Sequence, residues 1–280
     1  MIDRLQIQAF VERALMEDIG FCDLTAELVI PKHATAEFAI NARHEMIIAG
    51  IDVAGAVFTR YVPECKVELL VEDGTRATKG QILAKVTGPA RGMLSAERTA
   101  LNILQHLSGI ATLTSTYVAK IAHTKAVLLD TRKTTPGLRI LEKHAAQVGG
   151  AKNHRLSLAD GLMIKDNHIA VCGSIKAAVA QAKKLIPVLT KIEVEADRLD
   201  QVAEALEAGA DMILLDNMTN DMLREAVKMS AGKVPLEASG GVNLDTIAGI
   251  AETGVDFISV GRITQSAPAV DIGLDEIIRT

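Results

Sequence analysis

The sequence predicts an α/β protein in two parts. A small α+β domain with a connecting helix covers residues 1–114, and a shortened, six-stranded α/β barrel covers residues 115–280. Three observations predict this. After residue 114, short apolar runs alternate with helical segments, the pattern of a parallel sheet covered by helices. The strand ends at Glu195, Asp216, Glu237 and Val260 lie 21, 21 and 23 residues apart, one βα unit each. The 166 residues of this part fall short of the roughly 200 an eight-unit barrel needs. The GxGxxG of a doubly wound open sheet is also missing.

Taken in order, Leu5, Phe10, Val11 and Leu15 repeat with helical spacing, up to a polar break at Asp18-Ile19-Gly20. Runs at 36–40 and 45–49 read as strands, 52–60 as a helix, and 66–70 and 81–86 as strands divided by the turn signals Glu72-Asp73-Gly74 and Thr78-Lys79-Gly80. Ser95 reads as the N-cap of a long helix, with Glu97 in its first turn and Leu101, Leu104, Leu107 and Ala111 as its buried stripe. The barrel strands are expected at 126–129, 162–164, 192–195, 212–215, 234–237 and 257–260. Helices are expected at 174–185, 199–208, 220–229 and 244–252.

Composition excludes several classes of function. Hydrophobic residues at 49% and charged residues at 23% are those of a folded globular chain, not a disordered one. A net charge of −5, 2% aromatics and no Trp leave neither the basic face nor the stacking platform that nucleic acid requires. No apolar run approaches a membrane span, and the start has no secretory pattern. Cys22, Cys65 and Cys172 are scattered and in no CxxC pair. They read as reduced thiols of a cytoplasmic protein, with no zinc site.

In parallel α/β folds, chemistry gathers at the carboxyl ends of the strands. Here those ends carry Arg132, Lys133, Lys165, Glu195, Asp216, Ser239, Gly240 and Gly261, and a loop adds Lys152, His154 and Arg155. An isolated Arg-Lys pair is ordinarily solvated surface, and an isolated Asp is ordinarily a helix cap. Together, several cations and two carboxylates at one end of one sheet would be costly to desolvate without partners, and a polyanion with a metal would supply them. Ser239-Gly240-Gly241 and Gly261 form turns whose backbone N–H groups suit phosphate. A tight turn needing positive φ explains one such glycine without a ligand. His154 is the histidine expected in the site, and His168 could support Lys165. His33, His44, His106, His123 and His144 read as surface or helix-face residues.

The run Asp130-Thr131-Arg132-Lys133-Thr134-Thr135-Pro136-Gly137-Leu138-Arg139, with Glu142-Lys143 and Gly149-Gly150, strongly resembles the quinolinate phosphoribosyltransferase family. Asn153-His154-Arg155, Ile164-Lys165-Asp166-Asn167-His168, Glu193-Val194-Glu195, Leu215-Asp216-Asn217, Glu237-Ala238-Ser239-Gly240-Gly241 and Ser259-Val260-Gly261 follow in the family's order. Glu97-Arg98-Thr99-Ala100-Leu101-Asn102 is similar to its subunit-contacting helix. A molybdenum-transport group shares the Thr-Arg-Lys-Thr segment but lacks the Ile-Lys-Asp-Asn-His pattern.

The resemblance implies an N-terminal α/β sandwich domain beside a six-stranded incomplete, TIM-like barrel. It implies joining quinolinate to 5-phosphoribosyl 1-pyrophosphate to give nicotinate mononucleotide, pyrophosphate and CO2. Arg98 from a partner subunit, Arg132, His154, Arg155 and Lys165 would hold the quinolinate carboxylates. Lys133 would lie between the substrates, and Glu195 and Asp216 would bind ribose hydroxyls and Mg²⁺, directly or indirectly. Ser239, Gly240, Gly241 and Gly261 would receive the 5′-phosphate. Lys133, Glu195 and Asp216 are the expected catalytic residues, and a homodimer or dimer-based hexamer the expected assembly. Three residues depart from the family pattern: Cys22 for a usual glycine, Arg262 for a small residue and Gln265 for a histidine. Two other readings are an isomerase or lyase of small phosphorylated sugars, and a catalytically silent paralogue binding a nucleotide or organic anion.

Overall fold

The structure, a computed structural model, describes residues 3–277. Its first compact unit takes the chain up to Leu113, then Ile140–Gly149 and the chain from Ala267; its second takes Thr114–Arg139 and Gly150–Ser266. The chain is therefore not partitioned as the contiguous stretches 1–114 and 115–280: the first boundary lies one residue earlier, and two later segments group with the first unit.

In chain order the first unit has α1 (Arg4–Ile19), α2 (Leu24–Val29), β1 (Thr35–Ala42), β2 (Met46–Ile47), α3 (Ile51–Tyr61), β3 (Lys66–Leu69), β4 (Arg76–Ala77) and β5 (Ile82–Pro89). Helix α4 (Ala90–Ile121) follows. It starts five residues before the expected cap. Ser95 lies inside it, donating to the Arg91 carbonyl at 3.0 Å and to Asp23 Oδ2 at 2.8 Å. Asp23 in turn caps α2 through Oδ1. The stripe Leu101, Leu104, Leu107 and Ala111 is buried as its spacing predicts, each leucine contributing about 1.5–3 kcal/mol.

The second unit holds β6 (Val127–Leu129). Helix α5 (Arg139–Val148) follows it, and all but its first residue groups with the first unit. Next come β7 (Leu162–Ile164), α6 (Asp166–Cys172), α7 (Ile175–Leu185), β8 (Ile192–Ala196), α8 (Leu199–Ala208), β9 (Met212–Asp216), α9 (Asn220–Ser230), β10 (Leu236–Ser239), α10 (Ile247–Ala251), β11 (Phe257–Ser259) and α11 (Arg262–Gln265). The last strand, β12 (Ile272–Glu276), groups with the first unit.

An antiparallel sheet in the order β12-β1-β5-β3, with α3 against β3, makes the first unit a layered α/β sandwich. In the same unit His144 Nε2 on α5 pairs with Asp73 at 2.7 Å and His106 Nε2 on α4 with the fully buried Glu142 at 2.8 Å, so both are helix-face residues with partners. The second unit is the expected incomplete barrel: six parallel strands in the order β6-β11-β10-β9-β8-β7, with β7 to β11 adjacent in sequence order and β6 beside β11. Ser174 and Thr219 cap α7 and α9, and Gly209, at φ 74°, ends α8.

The strands are not uniformly apolar. Period two turns Val194, Ile213, Leu215, Ala238 and Ile258 to one face, where they are fully buried. The opposite face carries Glu193, Glu195, Leu214, Asp216, Glu237, Ser239 and Ser259. Register puts Glu195 and Glu237 both opposite Leu214, and Ser239 opposite Asp216. The hydrophobic face holds the barrel together, and the other face forms its polar mouth.

Candidate active site

The mouth encloses a cavity of about 410 Å³ lined by Arg132, Lys133, His154, Arg155, Lys165, Glu195, Asp216, Ser239 and Gly261, together with Asp130, Glu237 and Ser259. Nine of the twelve residues expected in the site thus converge. Gly241 lines a smaller neighbouring cavity of about 260 Å³, which shares Lys133, Ser259 and Gly261 with the first and adds Arg262 and Gln265. Gly240 lines neither cavity. At φ +93° it backs Asn217, whose backbone N would lie 2.9 Å from an added Cβ. Arg98 is exposed on α4, in the first unit.

Construction starts at β6. Residue Lys152 pairs in parallel with Leu129, and its N–H donates to the Leu128 carbonyl at 2.9 Å. Asp130, fully buried just beyond β6, accepts from Asn153 Nδ2 at 2.6 Å and from the His154 backbone N–H at 2.8 Å. These bonds seat the 153–155 segment beside the strand end. The Arg155 guanidinium donates to the Gly161 carbonyl at 2.9 Å.

His154 Nε2 faces Glu193 Oε2 at 3.0 Å and Glu237 Oε2 at 3.4 Å. Nδ1 accepts the Arg155 backbone N–H at 2.8 Å. Burial resists charge on this ring, but the hydrogen bond to Glu193 and the charges of Glu193 and Glu237 outweigh it and raise its pKa to about 9. The bond from Arg155 requires a lone pair on Nδ1, which a fully protonated ring lacks. Both observations agree on a proton at Nε2, and the 2.8 Å geometry argues against a second one at Nδ1. Expected to hold a carboxylate, His154 thus has both ring nitrogens bonded inside the protein. Burial, and then the charge of Glu237, push the Glu193 carboxyl up.

Lys165, at the end of β7, places Nζ 2.7 Å from Glu195 Oε2, while its backbone N–H donates to His168 Nδ1 at 2.9 Å. Burial, then the charge of Glu195, raise the Asp216 carboxyl despite Asn217, Lys165 and Lys133. Asn217, at φ 54°, donates to Asp216 Oδ2 at 2.7 Å. Burial and the charge of Arg132 lower the Arg155 pKa, and buried Arg132 Nε has no hydrogen-bond partner. Two crowded guanidiniums, one with an orphaned donor, have the chemistry to pair with an anion carrying more than one carboxylate. Asp130, Glu193 and Glu237 had been given no role in the sequence reading. Glu193 and Glu237 lie two residues before Glu195 and Ser239, so strand alternation was the available signal for them.

Comparison with known proteins matches two family models: the quinolinate phosphoribosyl transferase C-terminal domain over residues 110–275 and its N-terminal domain over residues 23–108. The chain belongs to the quinolinate phosphoribosyltransferase family. It is similar to the probable nicotinate-nucleotide pyrophosphorylase (carboxylating) of Bacillus subtilis, at 40% identity over 98% of this chain and 94% of the relative. Against the corresponding protein of Mycobacterium leprae the identity is 43%, over 95% of each chain. The solved nicotinate-nucleotide pyrophosphorylase of Francisella tularensis superposes with a TM-score of 0.95 at 39% identity, covering 99% of this chain and 98% of that one. The transferase is an enzyme, a pentosyltransferase, and these likenesses do not favour the silent-paralogue or molybdenum-transport readings. Among the described residues no helix is long and apolar enough to cross a membrane.

Proposed function

We propose that the chain transfers the phosphoribosyl group of 5-phosphoribosyl 1-pyrophosphate to quinolinate, releasing pyrophosphate and CO2 and forming nicotinate mononucleotide for NAD biosynthesis. The observation that carries this reading is the Arg132–Arg155 pair in the barrel mouth, with Lys133 shared between that cavity and the glycine-lined one beside it. Two mutually repelling anions need a cationic junction, and Lys133 stands at it.

Arg132, Arg155 and Lys165 hold the quinolinate carboxylates, with His154 in the lining beside them. Ser239, Gly241 and Gly261 receive the 5′-phosphate, with Gly240 supporting the turn. The pyridine nitrogen attacks ribose C1 as the C1–O bond breaks and its electron pair leaves with pyrophosphate. The C2–carboxylate bond then breaks, its electrons passing toward the quaternised ring. CO2 departs and the ring carbon takes up a proton. Positioning and charge stabilisation carry most of this chemistry.

Glu195 and Asp216 suit Mg²⁺. They offer oxygen donors on neighbouring strands, and the raised Asp216 carboxyl is a charge that a cation would relieve. Bound there with the substrate, Mg²⁺ would neutralise the departing pyrophosphate. A homodimer, or a hexamer built from dimers, with Arg98 entering the neighbour's site is part of the proposal. Exposed Arg98 supports it, as do apolar Phe21, Leu24 and Leu28 in the first unit and Leu158, Leu185 and Leu189 in the second. The three unpaired cysteines support a cytoplasmic setting.

Product analysis tests the reaction. Quinolinate, phosphoribosyl pyrophosphate and Mg²⁺ should give equal amounts of nicotinate mononucleotide and CO2. Binding of both substrates without product would contradict it.

A further inference from the structure

Glu193 and Glu237 present a problem for a pocket that takes a dianion. Both are buried, and Glu237 lines the cavity itself. Glu193 Oε1 and Glu237 Oε2 have no hydrogen-bond partner. Buried carboxylates are costly unless paired. Here they converge on one atom, His154 Nε2, at 3.0 and 3.4 Å. The far side of the same ring accepts the Arg155 backbone N–H at 2.8 Å, and Asp130 fixes the His154 backbone.

We propose that Glu193 and Glu237 are positioning residues: they hold the His154 ring at Nε2, and the ring, through Nδ1, sets the backbone of Arg155 and hence the aim of its guanidinium at the quinolinate carboxylates. The inference rests on the quinolinate reading above. Oriented this way, the two acids turn their charge on the imidazole, Glu193 Oε2 and Glu237 Oε2 both facing Nε2, although Glu237 also lines the cavity. Such an arrangement resembles the outer partners that orient a ligating histidine, where loss of the partner costs affinity without removing the contact itself.

The test is a double-mutant cycle read as separate KM values. Glu237→Gln keeps the shape and removes the charge. It should raise KM for quinolinate about tenfold and leave KM for phosphoribosyl pyrophosphate within twofold. In a His154→Gln background, Glu237→Gln should add no further loss. An equal rise in both KM values, or losses that simply add, would overturn the proposal by making Glu237 a general structural residue. Glu193→Gln runs the same cycle if Glu237→Gln does not fold. His154, Glu193 and Glu237 also bring ligand atoms within 4.8 Å of one another. A stoichiometric divalent ion in purified wild-type protein, lost in Glu237→Gln, would therefore overturn the proposal as well. If wild-type protein binds no quinolinate, the functional reading fails separately. Hydrogen exchange then decides the inference: the Arg155 amide should exchange at least tenfold faster in Glu237→Gln than in wild type, and unchanged exchange would contradict it.

Discussion

Arg155 sits where the substrate argument is sharpest, its charge opposed by burial and by Arg132. Charge-assisted hydrogen bonds contribute about 1.5–3 kcal/mol, so Arg155→Ala should weaken quinolinate binding roughly tenfold to a hundredfold. Phosphoribosyl pyrophosphate binding should change far less; calorimetric titration of each substrate checks this, and equal losses would reject the assignment. Away from the mouth, Asp73 shows how a single carboxylate responds to pH. Burial raises its pKa, but His144 and the Gly50 and Ile51 N–H groups outweigh that and hold it below the usual carboxylate range. Its contribution is present above the unfolded value of about 3.9 and is lost as pH falls through the lower folded value. Asp73→Asn should therefore cost about 2 kcal/mol at neutral pH. In denaturant titrations the gap from wild type should narrow below pH 4; a gap constant with pH would show that charge is not the cause. Arg132, Lys133, Lys165, Glu195 and Asp216 were legible because strand ends are where such folds expose side chains. Asp130, Glu193 and Glu237 were not: alternation puts Glu193 and Glu237 on the face of Glu195 and Ser239, but a sequence does not show which carboxylates will be buried.

Among the elements, the six barrel strands could be read to within two residues, since most are short apolar runs ending in polar residues and the others alternate with period two. Helix α4 differs at its start: Ser95 reads as its cap, whereas the helix begins directly after Pro89 and Ser95 bonds back to Arg91. Strand β12 escaped notice because its partner, β1, lies more than two hundred residues away, and nothing local marks such a pairing. Short α2 and α6 carry too few turns for a periodicity. The turn after β10 makes a prediction at this scale. Gly240 has φ +93° and lies against Asn217, so Gly240→Ala adds a left-handed strain of about 1–2 kcal/mol to a steric clash. It should lower stability by at least about 2 kcal/mol in a denaturant titration and displace Asn217 from Asp216. A variant of unchanged stability would mean the turn has room that the geometry denies.

For the whole molecule, the two units do not follow the chain in sequence order. Ile140–Gly149 and the chain from Ala267 group with the first unit, a consequence of tertiary contacts that no composition shift announces. Assembly supplies the prediction at this scale. Neither Arg98→Ala nor Asp216→Asn should be active alone. Mixed dimers should recover about half of wild-type activity, because one of their two mouths is intact, which makes about a quarter for a one-to-one statistical mixture; no recovery in proven mixed dimers would place each site within one chain. The central claim is that a protein of net charge −5 concentrates its cations in one barrel mouth for two anions at once. The most direct measurement is a crystal structure with quinolinate and a non-reacting phosphoribosyl pyrophosphate analogue. The account predicts carboxylates on Arg132, Arg155 and Lys165, with the 5′-phosphate at Gly241 and Gly261. Either ligand bound elsewhere, or the two found only in alternation, would contradict it.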